Sequence, residues 1–382
     1  MPITIPSFAK INLGLGIGPV RPDGFHELRT VYQTIALHDI VSVFVSRGSG
    51  IEIRCQDPRV PTDSTNTCWR IVEQAMQALK TRGRVVIEID KQLPVQGGLG
   101  GASGNAVAAM LAVERALRKK LPAAERLRIA SEVGSDLPLF LIGGTVLGVG
   151  RGEEVYPVPD LPPMSCVIAL PDLAISTPKA FGDWDRLCGA GALAHEKDVG
   201  NDFGSPADKT RKGSASSRAE STRHDSALIA EPAQRSSAWT GEGARPHTAG
   251  SKLTPPTHSD RMLEFSREIS AWLNAAQIGR RSGVSARGGG RAENPLLDLV
   301  RTGIENDFER VVFPKYPELL EVKSVLERNG ARFASLSGSG SVIYGLFDSR
   351  PKAAAAAKKL IQQGTRALIT STLTRRQYWK KL

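Results

Sequence analysis

The chemistry-bearing stretch of this chain runs from Leu93 to Arg118 and reads LPVQGGLGGASGNAVAAMLAVERALR. A proline and a glycine-dense turn open directly into a segment whose Val107, Met110, Leu111, Val113 and Leu117 recur at helical spacing. Such a turn presents a row of unpaired backbone N–H groups at a helix N-terminus. Glycines also remove the side chains that would hold a bulky anion away. Phosphate suits that cradle. The plainer alternative is a flexible turn before a core helix; Pro94, the unbroken Gly-Leu-Gly-Gly, Ser103 and the immediate helix start favour phosphate.

Two charged residues could work beside such a loop. In residues 8–17 Ala9, Ile11, Leu13, Leu15 and Ile17 point one way, while Phe8, Lys10, Asn12, Gly14 and Gly16 point the other. The pattern predicts a strand whose open polar face carries Lys10 and Asn12 together. Asp136 stands between a glycine and the apolar run LPLFLI. There it would either cap a helix or serve as a general base or metal ligand. After the RPDG turn at 21–24, Phe25, His26 and Tyr32 are expected to cluster. They would form ordinary aromatic packing or a platform for a flat base.

Around these residues the chain alternates strands and helices. Strands are expected at 40–45, 51–54, 85–89, 145–149, 153–158, 166–170, 332–336, 342–347 and 367–373. Helices are expected at 65–82, after the glycine loop, at 123–133, from Thr177-Pro178, at 261–277, near 295–308, at 315–329 and at 351–363. PDLPP at 159–163 reads as a domain boundary, and SGSGS at 337–341 as a second glycine-serine turn. Residues 204–258 are rich in Ser, Ala, Arg, Pro and Gly and poor in large apolar residues. They are expected to be a disordered insertion, with a weaker one at 279–291.

Bulk properties narrow the class. The 382 residues, 41% hydrophobic and 23% charged, suit a soluble protein of two or three domains. There is neither an apolar run of membrane-spanning length nor an evident secretory signal, and four scattered cysteines suit reduced thiols; the expected location is the cytoplasm. The net charge is +11, and residues 350–382 hold nine Lys or Arg and no Asp or Glu. That density would attract an anionic partner, but lysines flanking a polyalanine helix without aromatics are better read as a solvated face. There is no GxxxxGK[ST] and no HRD/DFG pair, and Ser103 falls where GxGxxG needs its last glycine. P-loop NTPases, protein kinases and dinucleotide-binding folds are therefore not indicated.

AKINLGL at 9–15, PVQGGLGGASGNA at 94–106 and SGSGS at 337–341 resemble the three motifs of the GHMP small-molecule kinases. RPDGFHEL at 21–28, GSDLPLF at 134–140 and ENDFE at 305–309 resemble the branch of that family whose acceptor is a cytidyl sugar alcohol. The likeness covers about 1–185 and 295–350. It implies an α+β, two-lobed fold. An N-terminal ATP-binding lobe like the second domain of ribosomal protein S5 would span 1–160, and a ferredoxin-like C-terminal lobe carrying the insertion would span 161–382.

The reaction implied is transfer of the ATP γ-phosphoryl group to the tertiary 2-hydroxyl of a methylerythritol unit in isoprenoid precursor synthesis. Asp136 would take the hydroxyl proton, and Lys10 would support that carboxylate and the γ-phosphate charge. Pro94, Val95, Gln96, Gly97, Gly98, Leu99, Gly100, Gly101, Ala102, Ser103 and Gly104 would wrap the ATP phosphates, with Ser103 assisting Mg²⁺. Phe25 and His26 would meet the cytosine with Phe181 on its opposite face, and Asn12 and Tyr32 would line the cavity. The expected partners are ATP and the small-molecule substrate, with no membrane or nucleic acid, on a monomer or homodimer.

The chain departs from the family pattern in places. Gly104 stands where a second serine is usual, which leaves Ser103 to supply any hydroxyl contact; Gln96 and Ala102 replace glycines, and Phe25 replaces a tyrosine. The alternatives are a GHMP kinase for another small alcohol, such as mevalonate or homoserine, or a non-catalytic nucleotide or nucleic-acid binder.

Overall fold

The alternating stretch at 8–17 is the middle of a longer strand, β1 (Ile3–Val20), which pairs antiparallel with β2 (His26–Ser46). The RPDG turn joins them: Gly24 has φ +81°, and the Asp23 carboxylate accepts from the Phe25 amide at 3.1 Å. The computed structural model describes residues 1–95, 97–198 and 304–382, with side chains of the last helix before the gap described to 189. The expected insertion at 204–258, its companion at 279–291, the helix at 261–277 and Gln96 lie outside the described residues.

β2 begins fourteen residues before the strand expected at 40–45. Its first half mixes polar and apolar residues without a clean period. Gln33 and Thr34 are fully buried, yet partners from distant loops satisfy them: Gln33 Nε2 donates to the Thr34 and Leu373 carbonyls and Gln33 Oε1 accepts from Thr145 Oγ1. Tertiary partners thus override the local pattern.

The first sheet adds β3 (Ile51–Cys55), β4 (Arg84–Asp90), β5 (Thr145–Val149) and β6 (Glu154–Pro157). The order is β3-β4-β2-β5-β6, with β1 also on β2. Only β3 and β4 run parallel, joined through α1 (Thr67–Ala78), which the Asn66 side chain caps. α1, α2 (Gly101–Leu117) and α3 (Ala123–Val133) bury Ile71, Val72, Met110, Val113 and Ile129 against Val41, Val43 and Ile87 of the sheet. The short α4 (Leu137–Phe140) follows.

The second sheet contains β7 (Ser165–Leu170), β8 (Phe333–Leu336), β9 (Ile343–Phe347) and β10 (Arg366–Ser371) in the all-antiparallel order β10-β7-β9-β8. α5 (Thr177–Asp198) follows β7, and α6 (Glu309–Val312) and α7 (Pro317–Arg328) precede β8. α8 (Arg350–Gln362) links β9 to β10. This split βαβ order is the ferredoxin-like arrangement that the motifs imply. The helix expected near 295–308 is corrected in its described part, where 304–308 form a bridge to Leu15 and a turn.

The basic C-terminus is built into the fold. Lys358 and Lys359 lie exposed on α8, and α9 (Arg375–Lys381) returns to the first sheet. There Arg375 donates to the Thr145 and Val158 carbonyls and Tyr378 to the Phe140 carbonyl. The four cysteines are free thiols. Among the described residues no helix is long and apolar enough to cross a membrane.

Candidate active site

The glycine loop has the geometry that an anion requires. α2 begins at Gly101 with Gly100 as its N-cap, in the left-handed region at φ +70°, and no side chain caps it. The first-turn amides of this 17-residue helix therefore have no partner within it. Beside them is a cavity of about 360 Å³ walled by Pro94, Val95, Ser103 and the glycines between, and also by Arg59, Asn66 and Lys91. Gly98, at φ +78°, packs so tightly on the second lobe that a Cβ there would lie 2.0 Å from the Ser337 carbonyl oxygen.

Gly104 departs from its expected role. Its amide is already used, donating to the Gly100 carbonyl at 2.9 Å, and it does not wall the cavity. A Cβ at 104 would meet Ser7 Oγ at 2.8 Å and the Phe8 carbonyl at 2.9 Å. A side chain at 104 would therefore point at β1 rather than into the cavity. Glycine here lets α2 lie against β1, beside the Ser7 hydroxyl.

Lys10 and Asp136, 126 residues apart in sequence, meet at the other side of Gly100. Lys10 Nζ lies 3.4 Å from Asp136 Oδ2 and donates to Asn12 Oδ1 at 2.7 Å. Asn12 Nδ2 donates in turn to Thr30 Oγ1, which donates to the Gly14 carbonyl, both at 2.8 Å. Lys10 and Asn12 are buried, so the face expected to be open is covered by the loop, by Tyr32 and by Gly338. The ammonium is held by designated partners rather than solvated.

Asp136 precedes α4 but makes no capping bond. Its Oδ1 accepts from the Tyr32 hydroxyl at 3.0 Å, and a third of its side chain stays exposed. Burial first, then the Asp136 charge, pushes the Tyr32 hydroxyl well above the usual tyrosine range, so it remains a donor. A carboxylate with one ammonium, one phenol and an open side can accept a proton from a bound molecule.

The expected aromatic cluster is redistributed. Tyr32 belongs to the Asp136 site. Half-exposed Phe25 lies under the Arg151 guanidinium, whose centre is 5.0 Å from the ring. His26 stacks directly on Phe181, with ring centroids 4.7 Å apart and planes 7° apart. That spacing leaves no room for a base between them, so the expected sandwich with Phe181 opposite His26 is closed in this conformation. His26 Nδ1 lies 3.1 Å from the Gly18 carbonyl and Nε2 lies 3.4 Å from Asp185.

Several residues of the site carry no role in the sequence reading. Asn306 Nδ2 donates to the Leu336 and Gly338 carbonyls, and Glu309 Oε1 accepts from the Ser335 hydroxyl and the Leu336 amide. The ENDFE segment thus holds the SGSGS turn, whose Ser337 hydroxyl donates to the Gly98 carbonyl at 2.9 Å. Asp307 fastens the same segment to β1 by accepting from the Ile17 amide. The motif marked these residues, but only the fold shows what they hold.

Comparison with known proteins agrees with this geometry. Residues 66–144 match the GHMP kinases N terminal domain, and residues 293–366 match the GHMP kinases C terminal domain. A 4-diphosphocytidyl-2-C-methyl-D-erythritol kinase of Solibacter usitatus is 30% identical over 344 residues, covering 90% of this chain and 81% of that protein. The chain belongs to the 4-diphosphocytidyl-2-C-methyl-D-erythritol kinase family.

A second family member, from Acaryochloris marina, is 29% identical over 94% of this chain and 91% of its own length. The crystal structure of a 4-(cytidine 5'-diphospho)-2C-methyl-D-erythritol kinase shares the fold with a TM-score of 0.60, 24% identity and coverage of 97% of this chain and 99% of that one. A mevalonate kinase structure shares it at a TM-score of 0.57 and 13% identity, covering 98% and 99%. The GHMP architecture is therefore common ground, and the sequence likeness to the cytidyl branch is the stronger one.

Proposed function

We propose that this chain transfers the γ-phosphoryl group of ATP to the 2-hydroxyl of 4-(cytidine 5'-diphospho)-2-C-methyl-D-erythritol. The observation that carries the reading is the juxtaposition of an uncapped α2 N-terminus with the Lys10–Asp136–Tyr32 cluster across Gly100. Residues 1–160 would hold ATP, and 161–382 would close the site through the SGSGS turn.

Phosphoryl transfer asks the protein for positioning and charge complementarity rather than covalent chemistry. The amides of Gly101, Ala102 and Ser103 would receive the phosphates, with the nucleotide in the cavity alongside. Asp136 would accept the acceptor hydroxyl's proton on its exposed side while Tyr32 fixes its other oxygen. Lys10, held by Asn12, would face the charge that develops on the transferred group.

Among the described residues no three His, Cys, Asp or Glu side chains form a metal cage. Mg²⁺ would arrive on the nucleotide phosphates, with Ser103 assisting from the protein. There it would neutralise phosphate charge. For the cytosine, Phe181 would have to leave His26, and Phe25 would offer a stacking face.

Purified protein with Mg-ATP and, in parallel, the cytidyl substrate, mevalonate or homoserine tests the reading. Phosphorylation of the cytidyl compound with a kcat/KM at least roughly a hundredfold above the others is expected. ADP release with no such preference would sink the substrate assignment.

A further inference from the structure

We propose that Asp39 is the positioning residue of the nucleotide loop, a buried carboxylate that ties both ends of the 94–104 turn to β2. The inference rests on the ATP reading of that loop. Asp39 Oδ1 accepts from the Gln92 and Leu93 amides, each at 2.7 Å. Its Oδ2 accepts from Lys91 Nζ at 2.7 Å and Asn105 Nδ2 at 2.9 Å. Residues 91–93 lead into this stretch, and Asn105, already within α2, is the first residue after it.

A glycine-dense turn has more backbone freedom to lose than any other, so its shape depends on how firmly its ends are held. Asp39 is fully buried, and Lys91 and Asn105 are nearly so. Four charge-assisted bonds fill the acceptor positions of the carboxylate and fix the separation of the loop ends. A buried ion pair contributes little to stability compared with an apolar pair. Its concentration of donors at these two points is better explained by geometry. The same bond holds Lys91 Nζ beside the first turn of α2, 3.3 Å from where a Cβ on Gly101 would stand, on the cavity wall. Asp39 touches neither the cavity nor the Lys10–Asp136 cluster and would act only through the residues it holds.

The full-length Asp39→Asn variant, compared with wild type, tests this through Mg-ATP affinity by calorimetry, the separate KM values for ATP and the acceptor, and thermal melting. The variant keeps the shape but replaces an acceptor oxygen with a donor. The Kd and KM for ATP should rise roughly tenfold or more, with the acceptor KM within about twofold. ATP affinity within about twofold of wild type in a folded variant overturns the proposal, as does an equal rise in both KM values.

If unpaired Lys91 prevents folding, Asp39→Asn combined with Lys91→Met removes the orphaned charge and is compared with Lys91→Met alone. Equal ATP affinity in those two overturns the proposal; a further loss of roughly fivefold or more supports it. A merely structural role would lower the melting temperature without changing ATP affinity below it. Wild-type protein that binds Mg-ATP but does not phosphorylate the cytidyl acceptor overturns the acceptor assignment and leaves this comparison intact. Wild type that binds no nucleotide overturns both.

Discussion

Gly98 and Ser337 lock the two lobes together at the glycine loop. The serine hydroxyl donates to the glycine carbonyl at 2.9 Å, and the serine carbonyl fills the space that a side chain at 98 would need. Gly98→Ala meets two penalties: a left-handed backbone at φ +78° and a Cβ 2.0 Å from backbone oxygen. The expected result is a stability loss of about 1–3 kcal/mol from the conformation alone, plus loop displacement. ATP affinity should fall with it. Calorimetric melting and ATP titration read both, and unchanged values would show that the contact yields freely.

Asp136→Asn should lower kcat by about 10²–10⁴ while ATP affinity stays close to wild type, because the proposed proton acceptor is lost and the loop is untouched. Tyr32→Phe keeps the ring over Lys10 and removes only the donor to Asp136 Oδ1; a kcat loss of roughly tenfold is expected. Steady-state kinetics with both substrates decide the matter. Near-normal turnover in Asp136→Asn would refute the general-base role.

Tyr378 supports the Asp136 segment from the far end of the chain. Its hydroxyl donates to the Phe140 carbonyl at 2.7 Å, and its ring occupies the space over Gly143. Tyr378→Phe leaves that carbonyl buried without its partner, so a loss of about 1–3 kcal/mol is expected in chemical denaturation. A value within experimental error of wild type would mean that Phe140 finds a substitute partner.

Burial pushes the Cys68 thiol from 9.0 up to about 12, and the Cys166 thiol higher still. Between those pH values the unfolded chain has given up protons that the folded chain keeps. Stability contributed by the protonated thiol is therefore complete below pH 9 and declines as pH rises toward 12. Cys68→Ala should make the alkaline decline shallower, measured by urea denaturation from about pH 8 to 10.5. Parallel curves would refute the assignment. The native thiol should also resist alkylation at pH 8, since its thiolate fraction is negligible.

Much of the fold was legible because local signals agreed with it. Alternation announced β1, the helix expected at 123–133 is α3, and the glycines at 97–101 announced a backbone that must bend and stay bare. Where polar residues are satisfied by remote partners, the pattern misled. A strand is expected only from residue 40, yet β2 runs from His26 through the buried Gln33 and Thr34, and Lys10 and Asn12 read as an open face although both are buried.

The sequence by itself determined the chemical inventory: a phosphate-suited loop, one lysine, one isolated carboxylate and the motifs of a cytidyl-branch kinase. Only the tertiary structure decided which atoms meet. It brought Lys10 to Asp136 and Tyr32 to the same carboxylate, turned Gly104 toward β1, and closed His26 on Phe181. It also revealed Asp39, which looks like an ordinary strand-end aspartate until the residues that bracket the loop converge on it. The physical reason is range: backbone preference and periodicity act over a few residues, whereas a buried charge is defined by partners that only chain packing supplies.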